Sequence, residues 1–460
     1  MFSVALLLSI GTLRCLGGEL PADHVAGKLI QLNDNGAWSW FMDPRAIVFE
    51  GKIVVGSVRA IGNFARGKSD PDWGNVEISV LDIASGKTGK TILDRHFEQD
   101  DHDGPAFLPM GDGRLLAMYT RHGVEHKIFY RFSKQHDPLS WSEAKVFESP
   151  GSDSPAFRGS NVTYSNPFRL PGGRIYNFYR GVGFDPNYMY SDDEAQTWHY
   201  GGHLLRGRGG YSPYLKYAYD GHGTLYFIAT DDHPRNYDNS LYGGYFRDGK
   251  IYFSDGKLLG NASTDTTVEY HPWDLTPIFK GDFENVAWCN DIKLDPQKHP
   301  YITFSVHKGG RLAPRHGGMD HRYFYGRFDG TTWHVHEMAY AGMRLYPGED
   351  DYTGLAMLDP RNPDVVYIST NAEPTNGEPL ISSSDQQRHY ELFRGRTSDQ
   401  GQTWKWEPIT TNSSTDNLRP LVPQWDDPRT ALIWMRRKYS SNRGQWSTAV
   451  VATILPAADK

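Results

Sequence analysis

The sequence has few cysteines, no long apolar run beyond its first residues and no excess of positive charge. Its 460 residues include two cysteines, which excludes a disulfide-rich scaffold. After the N-terminal segment, no stretch reaches the ~18 apolar residues that a membrane helix needs. The net charge is −7 and the pI about 6.2, whereas nucleic-acid-binding domains usually have a pI above roughly 9. We therefore expect neither a nucleic acid nor a membrane as partner, and we expect a monomer.

The N-terminal segment differs in composition from the rest of the chain. Residues 4–10 are mostly apolar and residues 11–18 are rich in small side chains, which is typical of a secretory signal peptide. We predict that residues 1–18 are removed and that the protein is secreted, into the extracellular space or the periplasm. The alternative is a buried N-terminal strand. Cleavage would remove Cys15 and leave Cys289 as a single cysteine, either a buried thiol or a metal ligand.

Aromatic side chains and turn residues are abundant, and they recur in a pattern. A short apolar strand, a turn and a strand rich in Tyr, Val, Ile and Phe occur seven times. The turns lie at Gly51-Lys52, Gly113-Arg114, Gly173-Arg174, Gly223-Thr224, His299-Pro300, Asp364-Val365 and Arg429-Thr430. Such units account for the whole chain after residue 18. We therefore predict an all-β protein with one domain, residues 19–460, folded as a seven-bladed β-propeller.

Two turns support this fold. Residues 191–198 and 397–404 fit the S/T-x-D-x-G-x-T-W Asp-box of sialidase-like propellers, with Ala195 replacing the glycine in the first. The aspartate can accept hydrogen bonds from the turn amides, and the tryptophan can pack between neighbouring sheets. Asp-boxes are structural, so they predict the fold and leave the activity open.

Propeller geometry selects candidate site residues. The start of each first strand and the end of each second strand lie at the same end of a hairpin. These positions are rich in His, Arg and Tyr, which predicts a cationic, aromatic pocket for an anionic ligand. First-strand starts are Arg45, His102, Tyr164, Tyr214, Asn290, Thr353 and Arg419; second-strand ends are Arg59, His122, Arg180, His233, His307, Asn371 and Arg437. Nearby carboxylates either pair with these residues or orient their rings, namely Asp43, Asp100, Asp101, Asp231 and Asp232.

This inventory favours one reaction. Glycoside hydrolysis generally needs two carboxylates facing the scissile bond, and the rim positions supply no clear pair. No G-x-S-x-G elbow is present for a nucleophilic serine. Removal of the C5 proton of a uronic acid needs a cation to neutralise the carboxylate, a base such as neutral His or ionised Tyr, and a proton for the leaving oxygen. The His, Tyr and Arg residues therefore favour β-elimination by a polysaccharide lyase.

Several segments resemble the BNR-type propeller polysaccharide lyases, and the ulvan lyases of families 24 and 25 in particular. The resemblance runs from about residue 30 to residue 440 and rests on residues 35–46, 100–106, 119–123, 211–217, 230–235 and 320–325. It implies a seven-bladed propeller. It also implies cleavage of ulvan, a sulfated algal polysaccharide, between rhamnose 3-sulfate and a uronic acid.

The resemblance also implies roles for individual residues. His102 corresponds to the catalytic histidine and Tyr164 to the catalytic tyrosine, and the two share the base and acid roles. His122 corresponds to a positioning or neutralising histidine, and Arg180 to the arginine that neutralises the carboxylate. Further contacts to sulfate or uronate are expected from Arg45, Tyr214, Lys216, Arg206 and Arg208.

No cofactor is expected for the chemistry, but a structural metal is a separate hypothesis. One cysteine and three histidines form an acceptable closed tetrahedral zinc site. The candidate ligands are His233, Cys289, His307 and His321. Some members of the resembling family carry a structural metal, either zinc or calcium. The alternative is a buried free thiol with scattered histidines.

Two other functions stay open at this stage. A sialidase-like hydrolase on the same fold would need an arginine triad, which Arg45, Arg180 and Arg437 could imitate, and a Tyr/Glu nucleophile pair. A propeller lectin would bind sulfated glycans without proton-transfer groups. The long interval between Thr224 and Pro300 predicts an insertion, placed at residues 236–257, that could close one end of a groove.

Overall fold

The computed structural model describes residues 23–60, 70–122, 124–150, 162–208, 212–262, 270–309 and 318–457. The predicted signal peptide, with Cys15, lies outside the described residues. Within this part of the chain, helix is limited to single 3₁₀ turns at Asp101–Asp103, Val182–Phe184 and Pro272–Asp274. None of these is long and apolar enough to cross a membrane.

Seven antiparallel sheets form the blades of a β-propeller, which confirms the predicted fold. At five of the seven junctions between blades, the first strand of one blade contacts the first strand of the next, so these strands line a central channel. Blade 1 contains β3 (Ala46–Phe49), β4 (Lys52–Val58), β5 (Val76–Asp82) and β6 (Thr88–Asp94). Blade 2 contains β7 (Ala106–Pro109), β8 (Leu115–Thr120), β9 (Lys127–Lys134), β10 (Asp137–Trp141) and β11 (Lys145–Glu148). Blade 3 contains β12 (Thr163–Arg169), β13 (Ile175–Arg180), β14 (Pro186–Ser191) and β15 (His199–His203).

The remaining blades follow in chain order. Blade 4 contains β16 (Leu215–Tyr219), β17 (Leu225–Thr230), β18 (Leu241–Arg247), β19 (Lys250–Phe253), β20 (Leu258–Asn261) and β21 (Thr276–Phe279). Blade 5 contains β22 (Asn285–Leu294), β23 (Pro300–Lys308), β24 (His321–Phe328) and β25 (Trp333–Gly342). Blade 6 contains β26 (Ala356–Leu358), β27 (Val365–Thr370), β28 (Glu391–Arg396) and β29 (Lys405–Pro408). Blade 7 contains β31 (Asn417–Leu421), β32 (Thr430–Arg436), β35 (Ala449–Leu455) and the N-terminal β2 (Ile30–Asn33).

The N-terminal segment closes the ring of blades. Strand β2 is the outermost strand of blade 7 and pairs with β35, with Ile30 opposite Ala452. Strand β1 (His24–Val25) pairs with β30 (Thr410–Thr411), which adds a second link between the two chain ends. A further short pair, β33 (Tyr439–Ser441) and β34 (Gln445–Trp446), lies between β32 and β35 in sequence. Pairing of distant segments therefore removes the open sheet edge that the first and last blades would otherwise share.

The predicted turns all lie in the first hairpin of their blades. In blade 1, Glu50 and Gly51 both have positive φ, at 49° and 75°, and connect β3 directly to β4. A two-residue turn with positive φ at both positions matches the twist of its strands. The second strands are buried along almost their whole length, because each blade packs between two others. This explains why they read as continuous apolar runs.

The two Asp-boxes form the structures expected of them. Asp193 accepts hydrogen bonds from the backbone N–H of Thr197 at 2.9 Å and from its hydroxyl at 2.6 Å. Asp399 accepts the equivalent bonds from Thr403 at 2.9 Å and 2.6 Å. The tryptophan of the first box packs against the preceding blade, with Trp198 and Tyr130 ring centroids 6.1 Å apart. Both motifs therefore stabilise outer turns.

The predicted insertion in blade 4 is placed too early in the chain. Seven of residues 236–257 form Leu241–Arg247, the regular third strand of the blade. The additional material is the hairpin that Lys250–Phe253 forms with Leu258–Asn261, followed by Thr276–Phe279, which returns to pair with the third strand. This material extends the outer edge of the sheet.

The central channel is filled by the segment that precedes β3, residues 37–45, which we call the plug. Its main-chain carbonyl groups accept hydrogen bonds from surrounding blades. Asn166 donates to the carbonyl of Phe41 at 3.1 Å, and Lys216 donates to the carbonyl of Trp40. Trp40 in turn donates from its indole N–H to the carbonyl of Cys289 at 3.3 Å. The plug thus separates the two ends of the channel.

Candidate active site

Histidine, tyrosine and arginine side chains meet at one end of the plugged channel. His102 lies on the 3₁₀ turn before β7, and His122 follows β8. Tyr164 lies in β12, and Arg180 ends β13, opposite Thr163. The ring centroids of His102 and Tyr164 are 5.4 Å apart, and the Arg180 guanidinium lies 4.8 Å from the centroid of the Tyr164 ring. The structure therefore brings together the four residues predicted to carry the chemistry.

The two histidines form a stacked pair on one carboxylate. Their ring centroids are 3.9 Å apart, with an interplanar angle of 15°. Asp100 contacts Nδ1 of His102 with one oxygen and Nδ1 of His122, at 2.8 Å, with the other. Because Nδ1 of each ring faces Asp100, each Nε2 atom points away from it. A carboxylate bound to Nδ1 fixes the tautomer and the orientation of a histidine, so Asp100 orients both rings at once.

The environment separates the protonation states of the pair. Burial alone would lower the pKa of His102, but Asp100 and Asp101 outweigh it and raise the pKa to about 9. Burial, followed by the charge of His102, lowers the pKa of His122 to about 4. The side chain of His122 is also the more exposed, at 17% against 4%. At neutral pH the pair therefore holds one additional proton, on His102.

More carboxyl groups lie beneath the pair. Asp101 contacts His102 at 3.0 Å and accepts hydrogen bonds from Arg419 at 2.5 Å and from the hydroxyl of Tyr439 at 2.6 Å. Asp103 accepts a bond from the backbone N–H of His122 at 3.0 Å. Burial above all, together with Asp100 and Glu98, raises the pKa of Asp103 well above its usual value. Three carboxyl groups, Asp100, Asp101 and Asp103, thus hold the histidines.

Tyr164 has an unusual backbone conformation. Its φ is 65°, in the left-handed region, where a residue with a side chain costs on the order of 1–3 kcal/mol. The register of β12 shifts between Thr163 and Asn166, and Asn166 donates to the carbonyl of Tyr164 at 2.7 Å. This bulge directs Tyr164 toward the histidines. Burial, and next the adjacent Tyr214, raise the pKa of Tyr164 well above its usual value, so the phenol keeps its proton.

Arg180 provides a buried positive charge beside these groups. Its Nη2 donates to the hydroxyl of Thr163 at 3.2 Å. Its Nε is buried and has no hydrogen-bond partner among the described residues. The residue has no carboxylate partner within 4.0 Å in the described part of the chain. A guanidinium with an unsatisfied donor is suited to an anionic group of a ligand.

The opposite wall is aromatic and cationic. Tyr214 packs edge-on against the ring of His233, with centroids 5.5 Å apart, and His233 lies 4.7 Å from the ring of Trp288. Burial, followed by the charges of Arg235 and Arg180, lowers the pKa of His233 well below its usual value, so this ring is neutral. Arg235 contacts Nε2 of His233 at 3.2 Å. Tyr214 therefore lies in the cluster as predicted.

Two predicted binding residues lie elsewhere. Arg45 is 1% exposed, and it donates to the carboxylate of Asp43 from Nε at 3.3 Å. Lys216 is equally buried and binds Asp43 and the carbonyl of Trp40. The prediction that Arg45 and Lys216 contact the substrate at the rim is therefore corrected. The reason is the position of Arg45 at the lower end of the plug. Strand β3 begins only at Ala46, below the upper end of β4, and the rest of the plug fills the space above Arg45.

The other two predicted binding residues lie in the connection between blades 3 and 4. Arg206 faces Asp185, with Nη1 3.7 Å from the carboxylate. Arg208 lies 3.6 Å from Asp231, and its guanidinium stacks between two rings, those of Tyr237 and Trp273, at 4.2 and 4.1 Å from their centroids. Arg206 and Arg208 thus border the end of the channel that carries His102, outside the cluster itself.

The predicted zinc ligands are not assembled. Cys289 is buried and donates to the carbonyl of Tyr214, on the side of blade 4. His307 contacts Asp351 at 3.0 Å through Nδ1 and accepts a bond from the N–H of Gly318 at 2.8 Å through Nε2. Within the described ranges, one group of at least three His, Cys, Asp or Glu residues has ligand atoms that all lie within 4.8 Å of one another. This group consists of Asp100, His102 and His122. The site of His233, Cys289, His307 and His321 is therefore corrected, since the first three residues face different partners.

Sequence reasoning did not single out Arg235 or Glu349. Arg235 binds the carboxylate of Glu349, which lies on the loop between blades 5 and 6. Arg235 lies two residues after His233 in the segment 230–235, one of the resembling segments, and this position could have identified it as a site residue. Glu349 follows no first or second strand closely, and no local pattern marked it.

The chain matches one protein family and resembles several solved structures. A family model described as a BNR repeat-containing family member matches residues 66–341. A solved structure of an ulvan lyase of polysaccharide lyase family PL25, bound to -[GlcA(1-4)Rha3S]-, is similar with 14% identity and a TM-score of 0.63, over 94% of this chain and 96% of that chain. The polysaccharide lyase Uly1 is similar with 10% identity and a TM-score of 0.56, over 95% and 100%. At such identities the likeness shows the propeller fold. No curated protein sequence matches the chain.

Proposed function

The chain belongs to the BNR repeat-containing family, and from this premise we propose that it is a polysaccharide lyase. The proposed substrate is a sulfated polysaccharide that contains uronic acid, of the ulvan type, and the proposed reaction is β-elimination. Secretion is part of the proposal, because a polysaccharide of this kind occurs outside the cell. The proposed secretion rests on the composition of residues 1–18.

One observation carries the proposal: a histidine pair oriented by Asp100 lies beside a protonated tyrosine and a buried arginine. The pair offers one neutral and one charged ring at neutral pH. Tyr164 offers a proton, and Arg180 offers a positive charge with an unsatisfied donor. These are the base, the acid and the neutralising cation that an elimination next to a carboxylate requires.

The steps follow from these states. Arg180 and the charged ring of His102 bind the uronate carboxylate and stabilise the negative charge that develops when the C5 proton leaves. The neutral ring of His122 accepts that proton at Nε2, which exchanges the roles that the resemblance implies for the two histidines. The C5–H electrons form the C4=C5 double bond as the C4–O bond breaks, and Tyr164 donates its proton to the leaving oxygen. Transfer of the proton from the histidine pair back to the phenolate restores the site.

The choice of ulvan rests on two supports. The segments that resemble ulvan lyases include three residues of the cluster, His102, His122 and Tyr214. The ulvan lyase of similar fold was solved with a glucuronate and rhamnose 3-sulfate fragment. We carry this substrate class over to the present chain as a proposal, because the cationic cluster suits an acidic polysaccharide.

A sialidase-like hydrolase is less well supported. Its arginine triad would have to come from Arg45, Arg180 and Arg437. Arg45 is paired with Asp43 at the lower end of the plug, and Arg437 is exposed after β32. The three guanidinium groups therefore do not share the pocket of Arg180. A lectin would need no oriented proton-transfer pair, so the geometry of Asp100 and the two histidines also favours an enzyme.

The test is to follow ultraviolet absorbance while the purified protein acts on ulvan, with heparin, alginate and pectin in parallel. Elimination produces a conjugated 4,5-unsaturated uronate that absorbs, and hydrolysis does not. We expect absorbance to rise with ulvan and not with a His102→Ala variant that still binds the polymer. New reducing ends without absorbance would indicate a hydrolase. Binding by the wild-type protein without either signal would indicate a lectin.

A further inference from the structure

Three consecutive acidic residues, Glu349, Asp350 and Asp351, lie on the loop between blades 5 and 6, and each contacts a different basic residue. Asp351 contacts Nδ1 of His307 at 3.0 Å, and Asp350 binds Arg344. Glu349 binds Arg235 across the end of the channel that carries His102. The first two contacts lie within the loop and blade 5. The third connects the loop to blade 4.

The Glu349 carboxylate borders the cluster through Arg235, whose guanidinium lies 3.2 Å from Nε2 of His233. The Glu349 side chain is 15% exposed, whereas that of Arg235 is 49% exposed. Burial, above all, raises the pKa of Glu349, while Arg235 acts in the opposite direction. The pocket therefore already contains one carboxylate, held by a cation, next to the groups proposed to bind a uronate.

Arg235 is also anchored at its backbone by His233. Its backbone N–H donates to Nδ1 of that ring at 3.1 Å, and its guanidinium lies 3.2 Å from Nε2. His233 packs on Trp288, so the backbone at Arg235 stays in place without Glu349. A positioned arginine that is half exposed can exchange one carboxylate partner for another anion.

We propose that Arg235 is a second receptor for an anionic group of the polysaccharide, and that Glu349 occupies this receptor until the substrate displaces it. This inference rests on the proposed function. The ligand group is a carboxylate or a sulfate ester, since both present oxygen atoms to a guanidinium. Glu349 sets the affinity and the selectivity: a neutral polymer cannot displace it, and a polymer of low charge density displaces it poorly.

The neighbouring contacts explain how displacement can occur without loss of structure. Asp350 and Asp351 keep their own partners when Glu349 is released, so the loop remains attached at two points. Tyr346 and Tyr352, on either side of Glu349, pack against each other with ring centroids 5.6 Å apart. Release therefore needs rotation of one side chain, which occurs much faster than turnover.

The test measures affinity in an inactive background, so that it does not depend on cleavage. Dissociation constants for ulvan are measured by calorimetry for His102→Ala alone and combined with Glu349→Gln, Arg235→Gln or Glu407→Gln. Glu407 pairs with Arg394 at 2.6 Å on the outer strands of blade 6 and serves as the matched control. Desulfated ulvan and carboxyl-reduced ulvan are used as further ligands to identify the anionic group.

We expect Glu349→Gln to tighten binding about five-fold, because a competing charge is removed, and Arg235→Gln to weaken it about ten-fold. Glu407→Gln should have no effect. The gain from Glu349→Gln should vanish with whichever modified polymer lacks the group that Arg235 binds. Unchanged or weaker binding in Glu349→Gln would overturn the inference. If Glu349→Gln in the otherwise wild-type protein abolishes turnover, Glu349 belongs to the reaction itself and the inference is also wrong. Absence of absorbance from the wild-type protein would instead count against the lyase proposal.

Discussion

The two ends of the channel contain the same kinds of residue but use them differently. At the lower end of the plug, Asp43 forms ion pairs with Lys216 and Arg45. At the upper end, Asp100 binds two histidines, and Arg180 has no carboxylate within 4.0 Å among the described residues. Pairing of cations with a carboxylate gives the lower end a structural role. The unpaired arginine suits the upper end to the anion binding and proton transfer proposed for it.

Cavity size and the orientation of the polar groups favour different ends of the channel. The lower end opens into a cavity of about 770 Å³, lined by Asp43, Arg45 and the turns of several first hairpins, whereas the space beside Tyr164 and Arg180 is about 20 Å³. Large pockets are a default guide to active sites. The polar groups favour the upper end, because Asp43 and Arg45 in the lower cavity already pair with each other.

The sharpest way to test this comparison is to neutralise one aspartate at each end. Asp100→Asn should lower kcat about 10³-fold, because the histidines lose both their orientation and the charge that holds a proton on His102. Asp43→Asn should leave kcat unchanged and lower the free energy of unfolding by about 3 kcal/mol, because two buried cations lose their partner. Steady-state kinetics and thermal unfolding of both variants provide the measurement. A loss of kcat in Asp43→Asn, with the protein folded, would contradict the distinction between the ends.

A smaller effect is expected from two tyrosines of blade 3. Tyr164→Phe should lower kcat about 10²-fold without destabilising the fold, because it removes the proton donor only. Tyr179, whose hydroxyl lies 2.8 Å from that of Ser149, is the matched control. Tyr179→Phe should cost about 1 kcal/mol of stability and leave kcat unchanged. Equal kcat values for the two variants would exclude Tyr164 as the proton donor.

The histidine pair predicts a pH dependence with two limits. kcat/KM should fall as pH rises through about 9, where His102 loses its proton, and as pH falls through about 4, where His122 gains one. The raised pKa of His102 also makes the stability of the folded protein depend on pH. The stabilisation is fully present below about pH 6.5, the pKa of histidine in the unfolded chain, and it is lost as pH rises through the pKa of about 9 in the folded protein. A pH profile of kcat/KM, with unfolding midpoints at the same pH values, checks both. A single transition near the ordinary histidine pKa would indicate that the pair is not coupled through Asp100.

The smallest effect is expected from metal removal. Because Cys289 and His307 have separate protein partners, incubation with a chelator should change neither the unfolding midpoint nor kcat. A lower midpoint after chelation, restored by zinc or calcium, would show that the described arrangement omits a metal site.

The fold could be predicted largely from local sequence. Each first hairpin is marked by its own turn residues, as at Gly51, and each Asp-box contains all of its hydrogen-bonding groups within eight residues or fewer, as around Asp193 and Asp399. The selection of His102, Tyr164 and Arg180 also depended on a local rule, the position at a strand end. These features need no knowledge of contacts between distant blades.

The errors in the site share a physical cause, because they concern contacts between blades. Arg45 follows a plug whose path through the channel is set by Asn166 and other residues of distant blades. Cys289 and His307 lie on neighbouring strands of blade 5, but one faces blade 4 and the other contacts the loop that leads to blade 6. The pairing of Arg235 with Glu349 likewise joins residues of different blades. Spacing along the chain carries no information about such contacts.

The central claim is that the upper end of the channel performs an elimination, and the most direct measurement is the structure of the new chain end. Oligosaccharides released from ulvan by the wild-type protein are analysed by mass spectrometry and NMR. The account predicts a 4,5-unsaturated uronate at the non-reducing end, with a mass lower by one water molecule than that of the hydrolysis product. A saturated end group would contradict the account, whatever the effects of the variants.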